Sequence, residues 1–363
     1  MKIKIQVIRT CRPHWGAYSG INQFLRYLSA DRFQVDVHVA SDGDQDLHIR
    51  KPLIQHALRY LVQRNGMHYY KLSDLAAEMK VFRRCCSERV DIIHYLDGEH
   101  SAQFLPRLPR MAGRLRPRIV ASYHQPPELL RRLTRKDVIA KLDHVILVSP
   151  EQLPHFETLL APHQISLIEH GIDTDYFKPC PQPKSRGQFK LITVGHWLRD
   201  FKTLRSVAEQ LQRYKDIVFH VVTSRLTGPR ETGLENVPNV KLYRETIDDA
   251  QLLEQYQQAD LLFLPLLGST ANNALLEGIA CGLPVLATCL ASVQAYLPGE
   301  EAMLVKDNDL EQFVDAILQL AQNPAKCQTM AIAARKRAEE LDWRNLTSRY
   351  EGVYSKIMGT DRA

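Results

Sequence analysis

At 363 residues the chain is long for one hydrophobic core and short for three, so two domains of about 150 to 200 residues each are expected. Hydrophobic residues make up 45% and charged residues 24%, with 17 Gly and 19 Pro, which excludes disordered, collagen-like and disulfide-stapled small proteins. The net charge of +6 is local rather than global: residues 106–136 carry nine Lys/Arg against Glu128 alone, without the interleaved aromatics of a single-strand nucleic-acid binder, so no nucleic-acid partner is expected.

The chain opens Met1-Lys-Ile-Lys-Ile-Gln-Val, which lacks the apolar region of a signal peptide, and its longest apolar runs fall far short of the roughly 20 residues that cross a bilayer. Seven cysteines with no C-x-x-C pair read as free thiols in a reducing compartment, so a cytoplasmic protein is expected. Short β-branched runs alternate with helix-length amphipathic stretches throughout, the pattern of parallel sheets covered by helices on both faces. In the first half the strands are expected at residues 3–8, 34–40, 91–95, 118–123, 144–149 and 165–169, with helices such as 21–28 and 53–64 between them.

Residues 177–187 interrupt the rhythm with three prolines in five positions, which deny both helix and ladder hydrogen bonds and mark a linker. The rhythm then restarts, with strands expected at 190–194, 217–223, 240–243, 259–265 and 284–288 and helices at 203–214, 248–258, 274–281 and 310–322. Two further amphipathic helices fill the tail to residue 354, with Trp343 as a packing anchor. Two such sheets, each binding at its carboxyl edge, place the expected site between the halves.

The most informative segment is the strand from Ala259 followed by Gly268-Ser-Thr-Ala-Asn-Asn-Ala-Leu-Leu-Glu277. A loop of small residues there lets a ligand approach the backbone, and a helix opening near Asn272 offers free N–H groups and a dipole that favour an anion such as a diphosphate. Two readings stay open for Asn272 and Asn273: part of that anion site, or a plain helix N-cap. Glu277, about a turn further in, suits bidentate bonding to a ribose diol, against the alternative of a solvated helix face.

Read with four more stretches in the same order, this segment resembles the C-terminal signature of family-4 (group 1) glycosyltransferases of the GT-B fold. Ile168-Glu-His-Gly-Ile-Asp-Thr-Asp-Tyr-Phe-Lys-Pro179 resembles the motif closing the family's first domain, and Lys190-Leu-Ile-Thr-Val-Gly195 followed by Arg199 and Lys202 resembles the glycine and basic pair opening its second. Asn239-Val-Lys-Leu through Asp260, and Ala302-Met-Leu-Val-Lys-Asp-Asn-Asp309, complete the match, and a weaker likeness covers the first half.

The resemblance implies an α/β GT-B protein of two Rossmann-like, doubly wound domains facing across a cleft. It divides into an acceptor domain (1–178), a linker (179–187), a donor domain (188–340) and a C-terminal helix (341–363) that packs back on the first domain. It implies sugar transfer from a nucleoside diphosphate sugar to a saccharide, lipid-linked or small-molecule acceptor, with retention of configuration and without metal or other cofactor. In that likeness Arg199 and Lys202 stabilise charge on the leaving diphosphate, and Glu277 holds the ribose. Gly195, His196, Ser269, Thr270, Asn272, Asn273 and Ala274 fall in the donor-binding stretches. His124, at a strand end before Pro126 and Pro127, matches a cleft histidine that contacts the donor sugar, although a lone histidine is more often structural. Gly16 and Gly20, in Trp15-Gly-Ala-Tyr-Ser-Gly20, match an acceptor-side loop, and Asp97 and Glu99 match the region where the acceptor is read or form a surface turn. Two departures stand out: His196 replaces the family's arginine, and Ser269 replaces the first glutamate of its E-x7-E pair.

Other classes remain as alternatives: a catalytically silent sugar-nucleotide-binding scaffold, or a nucleotide-sugar epimerase of similar build. Asp42-Gly-Asp44-Gln-Asp46 imitates a calcium loop but has Leu47 and Leu53 where glycine and glutamate belong, and as a D-x-D pair it belongs to a different transferase fold, so no metal site is expected. The basic stretch 106–136 reads either as a solvated face or as a peripheral contact with an anionic membrane.

Overall fold

A computed structural model describes residues 2–11, 16–43, 52–65, 69–108, 116–181, 187–223, 232–245 and 247–359. Trp15, Asp44 and Asp46, most of the 179–187 linker and residues 109–115 of the basic stretch lie outside the described residues. The chain divides into two units: the first is Met1–Trp15, Phe24–Glu169 and Leu346–Ala363, and the second is Gly16–Gln23 and His170–Asn345. The sequence expectation had placed everything up to residue 178 in the first.

The first unit holds six parallel strands, β1 (Ile3–Cys11), β2 (Phe33–Ser41), β3 (Ile92–Tyr95), β4 (Arg118–Tyr123), β5 (His144–Leu147) and β6 (Ile165–Leu167), in the order β2-β1-β3-β4-β5-β6. Strands β3 and β5 are buried along their whole length, which is why they read as nearly continuous apolar runs. His94 breaks the run in β3 and is accommodated by pairing: its Nδ1 lies 2.7 Å from the Tyr354 hydroxyl and its Nε2 lies 2.9 Å from the Ser122 hydroxyl. Burial lowers its pKa to about 3, so the ring is neutral. Tyr354 sits on the helix Trp343–Met358, whose residues from Leu346 onward pack in this unit, where Tyr350 also stacks on Phe24 at 4.1 Å. The stretch 21–28, expected as an α-helix, is a 3-10 helix, Ile21–Arg26, entered by an i to i+3 bond from the Gln23 N–H to the Gly20 carbonyl at 3.2 Å.

The second unit holds β7 (Phe189–Val194), β8 (Ile217–Val222), β9 (Val240–Tyr243), β10 (Leu261–Leu264), β11 (Val285–Thr288) and β12 (Ala302–Val305), all parallel, in the order β12-β11-β10-β7-β8-β9. Sequence patterning missed β12 as a strand, because an edge strand that is mostly half-buried lacks the apolar run of a central one. Trp343 is fully buried, with its ring 5.0 Å from that of His170.

Strand order reverses between β1 and β3 in the first sheet and between β7 and β10 in the second. Those are the points where two neighbouring crossovers leave a crevice at the carboxyl edge. Asp97 and Glu99 follow β3, His124 follows β4, and the 195–199 and 266–273 loops follow β7 and β10.

Candidate active site

In the second unit the loops after β7 and β10 are zipped together, with Arg199 bridging Leu266 and the Leu267 N–H bonded to the Leu198 carbonyl at 2.9 Å. The turn out of β7 depends on Gly195, whose φ of +89° is a conformation side chains rarely adopt. Arg199 folds back under it: Nε donates to the Val194 carbonyl at 3.0 Å, Nη1 to the Trp197 carbonyl at 3.1 Å and Nη2 to Asn272 Oδ1 at 3.0 Å. Burial lowers the Arg199 pKa to about 10, which leaves it charged at neutral pH.

That last bond sets aside the plain N-cap reading of Asn272. It occupies the N-cap position of the helix Asn273–Ala280 but its side chain makes no capping bond; it is turned to Arg199 instead. The first helical bond runs from the Leu276 N–H to the Asn272 carbonyl, so the amides of the first turn are left for another acceptor. A guanidinium against a helix N-terminus opposes the dipole, and an anion bound between the two would relieve both.

Glu277, on the same helix, is buried and has both carboxylate oxygens engaged. The Ser19 hydroxyl donates to Oε1, and the Tyr256 hydroxyl donates to Oε2 at 2.8 Å. Burial raises its pKa, while these two hydroxyls and Arg199 act to lower it. Tyr256 lies on the helix Asp249–Gln258 and is itself fully buried. Ser19 is carried by the loop Gly16–Gln23, which is seated by the Ala17 N–H on Asp249 Oδ2 at 2.8 Å and by Tyr18 stacked on Tyr176 at 3.6 Å. At Gly16 a Cβ would come within 2.1 Å of Asp249 Oδ1, so a larger residue there would have to displace the Asp249 carboxylate that seats the loop.

The structure therefore redistributes the expected residues. Gly16 and Gly20, read as acceptor-side, stand in the loop that reaches Glu277. Arg199 and Lys202 were expected to act together at the helix tip, but only Arg199 touches Asn272 there. Lys202 is exposed in the first turn of the helix Phe201–Gln210 and lines a cavity of about 540 Å³ with Asp200, Thr203, Leu266, Thr288 and Asn308, none from the 268–274 loop. The helical period explains the parting, because residues three apart share a face only once the helix has begun, and Arg199 precedes it. Ser269 and Thr270 are buried, the Ala274 carbonyl lies 3.4 Å from the Tyr256 hydroxyl, Asn273 is half-buried, and the His196 carbonyl accepts from the Arg199 N–H at 3.3 Å. Sequence reasoning did not single out Ser19 or Tyr256; Ser19 lay inside the glycine-bounded loop it did mark.

In the first unit Asp97, Glu99 and His124 gather at the carboxyl ends of β3 and β4. Asp97 Oδ2 accepts the Thr10 N–H at 3.1 Å, Glu99 Oε1 accepts the His124 N–H at 3.1 Å, and His124 Nε2 lies 2.7 Å from the Leu96 carbonyl. Burial raises the Glu99 pKa from 4.5 to about 7, with His124 opposing and Asp97 adding to the shift. The folded state thus binds more protons than the unfolded one between those values. The Glu99 contribution to stability is full below about pH 4.5 and is lost as pH rises through about 7. Glu99→Gln is expected to keep its stability across that window, so that wild type loses melting temperature relative to the variant as pH rises. Parallel melting profiles would show that Glu99 does not titrate there.

Within the basic stretch, Arg107 and Arg135 pair with Asp137 at 2.7 and 3.1 Å, and Arg118 pairs with Asp143 at 3.0 Å. Among the described residues no group of three or more His, Cys, Asp or Glu side chains is arranged to hold a metal ion, and no helix is long and apolar enough to cross a membrane.

Comparison with known proteins agrees with this architecture. Residues 188–323 match the family described as Glycosyl transferases group 1, and residues 16–176 match Glycosyltransferase Family 4. A D-inositol 3-phosphate glycosyltransferase of Kribbella flavida is 24% identical over 60% of this chain and 57% of its own length. That of Saccharomonospora viridis is 22% identical over 72% of this chain and 65% of its own. The chain thus spans about three fifths of the length of the curated relatives it matches. Among solved structures, sucrose-phosphate synthase of Thermosynechococcus elongatus superposes with a TM-score of 0.73 at 17% identity over 99% of this chain and 100% of that one. Anabaena HepE in complex with UDP-glucose superposes at 0.65 and 16% identity, over 97% of this chain and 99% of that one. At such identities the likeness is one of fold, and that fold is GT-B. With the two family matches lying end to end along most of its length, the chain belongs to the group 1, family-4 glycosyltransferases.

Proposed function

We propose that the protein transfers a sugar from a nucleoside diphosphate sugar to a saccharide, lipid-linked or small-molecule acceptor, with retention of configuration and with no metal or other cofactor. One arrangement carries this reading: Arg199 held against an uncapped helix start, with a buried glutamate a turn further along the same helix. Each Glu277 oxygen accepts one hydroxyl, which leaves further acceptor capacity for a ribose diol. Arg199 and the first-turn amides together favour an anion such as a diphosphate between them. In the proposed step the sugar C1–O bond to the diphosphate breaks, the acceptor oxygen bonds C1 from the same face, and the acceptor proton passes to the departing diphosphate. The growing negative charge is received by Arg199 and the helix amides, which is where preorganised donors give the largest rate effect. The relatives named D-inositol 3-phosphate glycosyltransferase and the UDP-glucose complex of the similar fold support a nucleotide-sugar donor. All seven cysteines are free, which supports a reducing, cytoplasmic setting.

One observation favours a second reading. Ser269 stands where the family places a glutamate, and a chain without it could bind sugar nucleotides silently. Incubation with a panel of UDP-, GDP- and ADP-sugars and candidate acceptors separates the readings. Acceptor-dependent release of nucleotide is the expected result. Binding without product would establish the scaffold, and an interconverted sugar would establish an epimerase.

A further inference from the structure

Among the described residues three other than glycine have a positive φ: Leu198 at +56°, Asp307 at +53° and Asn308 at +55°. That conformation is costly for a residue with a side chain, and it persists where surrounding contacts impose it. All three lie beyond the carboxyl ends of strands in the second sheet. Leu198 immediately precedes Arg199 in the loop after β7, and Asp307 and Asn308 follow β12. We propose that Asn308 is a positioning residue for the donor site, tying the loops after β7 and β10 so that Arg199 is held against the start of the helix Asn273–Ala280. The catalytic consequence rests on the transferase reading; the tie itself does not.

The Asn308 amide uses both of its ends. Its Nδ2 donates to the Leu266 carbonyl at 3.0 Å and to Asp200 Oδ2 at 2.9 Å, and its Oδ1 accepts from the Thr288 hydroxyl. The oxygen of that same hydroxyl accepts the Leu266 N–H at 2.6 Å. Buried Leu266 is thus gripped through both of its backbone groups, and it is the residue that pairs with Arg199 across the two loops. Asp200, on the other arm, follows Arg199 directly. Its N–H reaches the Pro265 carbonyl at 2.9 Å, and its carboxylate caps the helix Phe201–Gln210 through the Thr203 N–H at 3.0 Å. One side chain at the end of β12 therefore braces the residues on either side of the Arg199 anchor.

The backbone alone does not ask for asparagine there. Glycine adopts a positive φ without strain, so a turn selected only for its shape would be best served by glycine. What asparagine adds is an amide with two donors and an acceptor, a set that a carboxylate or a hydroxyl does not supply. The effect on chemistry runs through Arg199, because a shift of about 1 Å in a reacting or charge-stabilising group costs up to roughly 100-fold in rate.

Asn308→Gly is the direct test, since it keeps the turn and removes the amide. In hydrogen exchange of the full chain without ligand, peptides spanning 195–203 and 264–273 are expected to exchange about tenfold faster in the variant, with peptides of the first unit unchanged. Unchanged exchange in those two peptides overturns the tie. With the productive donor from the sugar panel, turnover is expected to fall about tenfold while the nucleotide Kd shifts by less than about threefold, because the helix amides stay in place and the setting of Arg199 is what loosens. Turnover equal to wild type, or a loss confined to melting temperature, overturns the positioning role. Thr288→Val opens the same link from its other side, so the double variant is expected to turn over little more slowly than the weaker of the two single variants. Effects that multiply overturn the shared link. If wild type turns over no donor, the transferase reading fails by itself, and the exchange measurement still decides the tie.

Discussion

Glu277→Ala is expected to weaken nucleotide binding by about 3 kcal/mol, or roughly 100-fold in Kd, because it removes a buried carboxylate that would accept both ribose hydroxyls. The folded protein should tolerate the change far better than the complex does. Burial already disfavours the Glu277 charge, and losing it relieves that cost while leaving only the Ser19 and Tyr256 hydroxyls to find new partners. Isothermal titration with nucleoside diphosphates, beside melting curves without ligand, distinguishes the two effects. Tyr256→Phe supplies the second arm: it keeps the carboxylate but removes the donor that orients Oε2, so it should raise Kd by a smaller factor. If Glu277→Ala lowered the melting temperature steeply and left nucleotide affinity intact, Glu277 would be a structural residue and the donor site would have to be sought elsewhere.

The second large effect is expected at Arg199. Arg199→Ala removes the cation that reaches the helix tip through Asn272, and turnover should fall roughly 100- to 1000-fold with a smaller change in nucleotide affinity. Lys202→Ala is the comparison. If Lys202 reaches the leaving diphosphate once donor is bound, it should also depress turnover; if it serves only the cavity it lines beside Asp200 and Asn308, turnover should stay near wild type. Single-turnover rates with the productive donor from the sugar panel decide this. An Arg199→Ala enzyme with unimpaired turnover would remove the charge-stabilising role from this residue.

Much of the molecule was legible in residue order. The alternation of apolar runs with amphipathic stretches declared two parallel α/β units, because strands buried on both faces must be apolar throughout and helices covering them must be apolar on one side. The 268–277 loop and helix start could be located for the same reason: small residues followed by a helical pattern describe a local geometry. Sequence order could not say what Asn272 does. Its cap role and its partnership with Arg199 differ by one side-chain rotation, which a residue 73 positions away decides.

The order of residues by itself determined the family and the two parallel sheets, since each rests on patterns that repeat along the backbone. Only the tertiary structure brought Ser19 and Tyr256 onto Glu277, parted Lys202 from Arg199, and left large apolar side chains of the helix Pro52–Asn65 in solvent. Periodicity shows that a face is apolar, but whether the core or the surroundings cover it depends on contacts distant in the chain, which no local pattern encodes.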